Sequence, residues 1–244
     1  WFQGTADAVR QSLRHISNID FEYVLILSGD QLYQMDFTEM FEAHKAKNAD
    51  ISIATIPVND RDAPEFGIMK TSPEGCITSF IEKPKKELLP DWVSDTGAEM
   101  QRAGRHYQAS MGIYIFSRQI LYRLLNEIHP GATDFGKEII PDSITNYNVA
   151  SFQYDGYWTD IGNIYSFYEA NLALTQEVPP FNLFDNTKTV YSRSRMLPPA
   201  KISGTELEKT LIAEGSIIHA KRLEQCIVGI RARIGAETTI VNTY

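Results

Sequence analysis

Two rhythms divide this chain, and a single sheet cannot satisfy both. Toward the C-terminus apolar residues return every six positions at Val228, Ile234 and Ile240, with Gly229 and Gly235 following the first two. Leu211, Ile217 and Leu223 keep the same spacing one residue out of frame. A six-residue period is the mark of a parallel β-helix, whose coils turn one apolar side chain per face inward. Chance alternation in an ordinary β-hairpin domain is the competing reading. The pattern is still running at Tyr244, so the β-helix reading expects further rungs.

Upstream, to about residue 177, strand-like and helix-like runs alternate. Tyr23 to Leu27 is a continuous apolar run of the kind buried on both faces of a parallel sheet, and it ends in Ser28-Gly29-Asp30. Phe37, Met40, Phe41 and His44 follow at helical spacing behind a candidate N-cap, Asp36. Ile51 to Ile56 reads as the next strand, stopped by Pro57. Further strands are expected at Phe66–Lys70, Ile77–Ile81 and Gly112–Phe116, and helices at Gln119–Asn126 and Ile164–Leu174. Alternation of this kind predicts an α/β domain with a largely parallel sheet over residues 1–177. Residues 178–201 hold Pro179, Pro180, Pro198 and Pro199 without periodicity and read as a linker; residues 202–244 are then the β-helix. Trp92–Tyr107, rich in charge, reads as a surface loop or short helix.

Composition removes several function classes. The net charge is −8 with no basic stripe, so nucleic acid and anionic membrane are poor partners. No apolar stretch approaches the ~20 residues that span a bilayer. Cys76 and Cys226 lie far apart, outside any CxxC pair, which speaks against a disulfide framework or zinc site and fits a cytoplasmic chain.

Ligands of parallel sheets sit beyond the carboxyl ends of the strands. Asp30 stands at such an end after Gly29, where a carboxylate holds a hard cation against phosphate oxygens or simply caps a turn. Asp160, in Tyr157-Trp158-Thr159-Asp160-Ile161-Gly162, has the same two readings, its structural one being the N-cap of the following helix. Glu82-Lys83-Pro84 closes a strand: Lys83 suits a phosphate and Glu82 accepts from hydroxyls, unless the pair is a solvated turn. Gly67 offers close backbone approach or a mere bulge, and Ser110 a hydroxyl near a ligand or a mere strand start.

Taken together, the stretches WFQGTADAVRQ, LSGDQLYQMD, EFGIMK, FIEKP, ASMGIYIF, DFGKEIIP, YWTDIG, SFYEANLAL and LPPAKI resemble the sugar-1-phosphate nucleotidyltransferase family, most closely its ADP-glucose pyrophosphorylase branch. The resemblance covers nearly the whole chain. It implies a Rossmann-like catalytic domain followed by a left-handed parallel β-helix, and the reaction of ATP with glucose 1-phosphate to ADP-glucose and pyrophosphate for glucan synthesis. By the same resemblance Asp30 and Asp160 hold Mg²⁺, and Lys83 binds the sugar phosphate. Glu82 and Ser110 contact the sugar, Gly67 lets the backbone close over it, and Gly4 and Thr5 line the adenine pocket near Gln3 and Trp1. Members are homotetramers with allosteric sugar-phosphate or nucleotide effectors, and Arg193 and Arg195 are candidate anion ligands or a solvated basic turn.

One departure stands out. The family's Gly-rich triphosphate loop lies upstream of the WFQGTADAV segment and has no counterpart in these residues. The expectation is therefore a fragment of a longer protein, inactive on its own. Gln31 and Thr159 also replace a His and an acid common in the family. Two other readings remain open: a pyrophosphorylase for another base or sugar, such as UDP-, dTDP- or GDP-sugars, and a non-catalytic regulatory subunit of the same fold.

Overall fold

The computed structural model describes residues 1–244. Contacts divide the chain into two units, Trp1–Gly29 with Met35–Asp155, and Asp30–Gln34 with Gly156–Tyr244. In chain order the elements up to Asp155 are α1 (Thr5–Ile16), β1 (Tyr23–Ile26), β2 (Gln31–Tyr33, of the second unit), α2 (Phe37–Ala46), β3 (Ile51–Val58), β4 (Gly67–Thr71), β5 (Ile77–Glu82), α3 (Ala98–Arg102), β6 (Tyr107–Ser117), α4 (Arg118–Arg123), α5 (Ile140–Asn146) and β7 (Val149–Gln153). Asp36 caps α2 as its type predicts, accepting from Thr38 N at 2.8 Å.

The first unit's sheet has the order β5-β4-β6-β3-β7, with β1 also paired to β6. β1, β3, β4 and β7 run one way; β5 and β6 run against them. Every residue of β3 is buried, because helices cover both faces. Ile51 and Ile53 join Phe116, Leu121, Leu124, Phe135 and Ile140 on the side of α1, α4 and α5. Alternation turns Ser52 to the other face, where its hydroxyl meets His44 Nδ1 of α2 at 2.7 Å.

Two sequence expectations fail here for local reasons. Tyr23–Leu27 is not covered on both sides: β1 pairs with β6 alone, and Leu25 and Leu27 are 39% and 45% exposed. Pro57 does not stop β3, which runs on to Val58. Thr55 O accepts from Tyr154 N on the β7 side, and Pro57 presents its nitrogen to that same side, past the end of β7. Its missing N–H therefore leaves no ladder bond unmade.

The second unit contains β2, β8 (Trp158–Asp160), α6 (Ile164–Ala173) and six short strands: β9 (Lys201–Ile202), β10 (Glu206–Ile212), β11 (Ile217–Ile218), β12 (Arg222–Val228), β13 (Arg233–Ile234) and β14 (Thr239–Thr243). The last six all pair in parallel, as β9-β11-β13 and β10-β12-β14. Coil on coil stacks Ile202, Ile218 and Ile234, then Leu207, Leu223 and Ile240, then Ile212 and Val228. β10, β12 and β14 each bend at a left-handed residue, Lys209, Gln225 and Asn242, which the pairing skips.

The six-residue period thus marks a β-helix, with its frame corrected. Ile218, Ala220, Leu223 and Val228 form the buried interior, with Ile212, Ile234 and Ile240 packed against it. Of the out-of-frame set only Leu223 points in; Ile212 and Ile218 take the places expected for Leu211 and Ile217. Successive strand residues face opposite ways, so one residue of frame decides burial. Ile218→Ala is expected to cost about 2–5 kcal/mol in chemical denaturation, and Leu211→Ala clearly less; the reverse order would contradict this frame.

Candidate functional site

The expected site residues fall in both units, and each set has its own geometry. In the first unit Gly67 of β4 stands opposite Glu82 of β5. A Cβ on Gly67 would lie 2.9 Å from Glu82 Oε2 and 2.4 Å from Phe80 Cζ. On another side a Cβ on Gly136 would lie 3.0 Å from the same carboxylate oxygen. Glu82 is therefore seated in a slot that only two glycines leave open. Burial raises its carboxyl pKa above the ordinary value, and Asp134 adds to the rise; the Lys83 and Lys137 ammonium groups pull it back.

Lys83 adopts a left-handed backbone (φ 47°), while its N–H donates to Phe66 O at 3.0 Å. A residue before proline favours extended conformations, so this is a strained position. Strain of that kind persists where the surrounding structure over-determines it, as at ligand sites. The backbone thus turns at the residue that directly follows β5.

Ser110 lies within β6 at a bulge, not at a strand start. Between the pairs Ile53↔Tyr114 and Thr55↔Ser110, one residue of β3 opposes three of β6. Gly112 takes φ 67° there and donates its N–H to Ser110 Oγ at 3.2 Å. Tyr114 emerges beside Ser110; burial pushes its phenol up to about 12, against a hydrogen bond with Ser110 and with the Glu82 and Asp134 charges adding to the rise.

The α1 terminus closes on the same Asp134–Lys137 stretch. Ala6 N donates to Thr133 O at 2.9 Å, and a Cβ on Gly4 would meet that oxygen at 2.4 Å. Thr5 Oγ1 accepts from Phe135 N at 3.1 Å. Gln3 N donates to the buried Asp7 at 2.9 Å, an interaction that holds the Asp7 carboxyl below its usual range. Trp1 is fully exposed.

The sequence assigned no role to Tyr114, Asp134, Gly136 or Lys137, although all four stand in quoted stretches. Tyr114 looks like a core aromatic. The Asp134–Lys137 pattern is that of a capped turn, which it also is, since Asp134 Oδ1 accepts from Lys137 N at 3.0 Å. Their closeness to Glu82 spans some fifty residues of chain, which no local signal encodes.

In the second unit β2 and β8 pair antiparallel with Gln31 opposite Asp160. Ile161 N donates to Asp30 O at 3.0 Å, and Trp158 Nε1 to Gln31 Oε1 at 3.1 Å. The two carboxylates face one point: a Cβ on Gly162 would lie 3.0 Å from Asp160 Oδ1 and 3.3 Å from Asp30 Oδ2. Asp160 is not the N-cap of α6; Asn163 is, accepting from Ser166 N at 2.9 Å, while Asp160 Oδ1 takes the Gly162 N–H at 2.8 Å. No cluster of three or more His, Cys, Asp and Glu occurs. Two carboxylates converging on a glycine suit a hard cation that completes its shell with substrate phosphates and water.

Residues 2–177 match the family model described as Nucleotidyl transferase. The chain belongs to that family. Residues 195–244 match the GLGC left-handed parallel beta-helix domain, in agreement with the parallel coils. Together the two matches make it a sugar-1-phosphate nucleotidyltransferase of the GLGC type. No helix in it is long and apolar enough to cross a membrane.

In this nucleotidyltransferase the Glu82 slot has a measurable cost. A carboxyl whose folded pKa lies above its unfolded value, here 4.5, is stabilising below that value and loses stability as pH rises through the folded pKa. Glu82→Gln should raise the melting temperature at pH 7–8, with the gain vanishing below about pH 4.5, while turnover falls. An unchanged melting temperature across that range would remove the slot argument.

Proposed function

We propose that this nucleotidyltransferase transfers the adenylyl group of ATP to glucose 1-phosphate, releasing pyrophosphate and forming ADP-glucose for α-glucan synthesis in the cytoplasm. The observation that carries this reading is the pairing of a nucleotidyl transferase match with a GLGC-type β-helix match on one chain. The sugar phosphate oxygen attacks the α-phosphorus in line and pyrophosphate leaves. Such a step needs positioning and charge neutralisation more than covalent help.

Each residue then has a task that follows from its chemistry. Lys83 neutralises the sugar phosphate with a point charge. Glu82 accepts from sugar hydroxyls; its desolvated carboxylate gains in the complex the hydrogen bonds that burial denies it in the free protein. Ser110 adds a hydroxyl from the bulge, and Gly67 keeps the wall thin enough for the backbone to close over the sugar. Gly4 and Thr5 set the α1 terminus as a wall for adenine, with Trp1 and Gln3 beside it. Asp30 and Asp160 would hold Mg²⁺, which neutralises triphosphate charge when bound. With this reading go a homotetramer and an anionic effector, for which the exposed Arg193 and Arg195 are the candidate ligands.

Initial rates of the full-length protein and its variants with ATP, UTP, dTTP and GTP test the base; a clear preference for any of the last three defeats the adenylyl reading. Lys83→Gln should raise KM for glucose 1-phosphate roughly 10- to 100-fold, the loss of one charge-assisted hydrogen bond, with KM for ATP nearly unchanged. Gly162→Ala places a methyl group where the two carboxylates converge. It should raise the Mg²⁺ concentration for half-maximal rate by about tenfold or more while leaving KM for the sugar phosphate near its original value.

A further inference from the structure

The nucleotide wall and the sugar slot of the first unit share one support, to which none of the tasks above is assigned. Residues 133–138 make a tight turn into the short helix Phe135–Ile139, and the start of α1 is fastened to that turn. Ala6 N and Asp7 N both donate to Thr133 O, at 2.9 and 3.4 Å, and Phe135 N donates to Thr5 Oγ1 at 3.1 Å. Arg10 Nη1 adds a bond to Ala132 O at 2.8 Å, while its Nη2 donates to Asp7 Oδ1 at 2.6 Å.

The other side of the same turn faces Glu82. Asp134 adds to the rise of the Glu82 pKa and Lys137 opposes it. A Cβ on Gly136 would lie 3.0 Å from Glu82 Oε2 and 3.4 Å from Asp134 Oδ1. A small rotation of the turn therefore moves the α1 terminus and the surroundings of Glu82 together.

Glu138 opposes such a rotation. A single oxygen, Oε1, accepts from Thr133 N at 2.8 Å, from Thr133 Oγ1 at 3.0 Å and from Asp134 N at 3.0 Å. The two backbone donors hold its carboxyl below the usual range, so the charge is present at neutral pH. Capping alone does not call for it, because Asp134 already caps the short helix by accepting from Lys137 N at 3.0 Å. What the three bonds fix in addition is the pair Thr133–Asp134, the one residue bearing α1 and the other standing beside Glu82.

We infer that Glu138 is a positioning residue for nucleotidyl transfer: through Thr133 and Asp134 it sets the α1 wall and the Glu82 slot relative to each other. In-line attack depends on the relative placement of two reactants, so a misplacement of about 1 Å is felt in kcat. The inference rests on the assignment of those two walls to nucleotide and sugar phosphate made above.

The test uses the full-length protein. Glu138→Ala should lower kcat about tenfold or more, with KM for ATP and for glucose 1-phosphate rising together. Glu138→Gln keeps an accepting oxygen and should recover most of the loss. Without substrates, hydrogen–deuterium exchange should quicken at residues 4–8 and 133–136 in the Ala variant and stay near the original in the Gln variant. Leu121→Ala, a cavity in the core of the same unit, should lower the melting temperature and leave kcat and both KM values within about twofold. Four results would each overturn the inference: a near-normal kcat in Glu138→Ala, unchanged exchange at residues 4–8, no recovery in Glu138→Gln, or an equal loss of kcat in Leu121→Ala. An unchanged KM for glucose 1-phosphate in Lys83→Gln would instead remove the wall assignment itself, and the inference with it.

Discussion

Strand β6 carries the register of the first unit, because β1, β3 and β4 all pair with it directly. A strand so shared cannot shift by one residue without turning Ile113, Ile115 and their buried neighbours to the wrong face. The bulge at Met111–Gly112 is therefore held from both sides. It places Ser110 and Tyr114 beside each other and leaves them within the field of Glu82 and Asp134. The sheet is thus the instrument that converts a local irregularity into a fixed polar cluster.

Glu82 shows the opposing demands on that cluster. Its carboxylate is desolvated and has another carboxylate near it, yet two lysines are close enough to oppose the rise in its pKa. Two glycines give up side chains to seat it. Burial of that kind costs stability, and the proposed contact with sugar hydroxyls is what would offset it. The Asp30–Asp160 pair follows the same logic with a different device: a two-strand ribbon brings together residues 130 apart, and Gly162 keeps the space between their carboxylates open.

Much of the fold was legible because its signals are local. Asp36 announced its helix by type, the alternation of strands and helices announced the α/β layers, and the six-residue period announced a coil. The misreadings are equally instructive. Pro57 was read as a stop because sequence does not say on which side of β3 its nitrogen lies or where β7 ends. Leu211 and Ile217 were assigned inward because the period was visible but its frame was not. For Asp160 two readings stood open, and the cap fell instead to Asn163, three residues on, whose side chain accepts from Ser166 N.

The order of elements, the change of rhythm and the residue types of the candidate site were determined by the sequence itself, since propensity, spacing and chemistry act within a few residues. Which groups meet was decided only by tertiary structure. Gly136 against Glu82, Gly4 against Thr133 and Asp30 against Asp160 are contacts between distant stretches. They exist because sheet pairing and close packing fix which strands lie side by side and in what register.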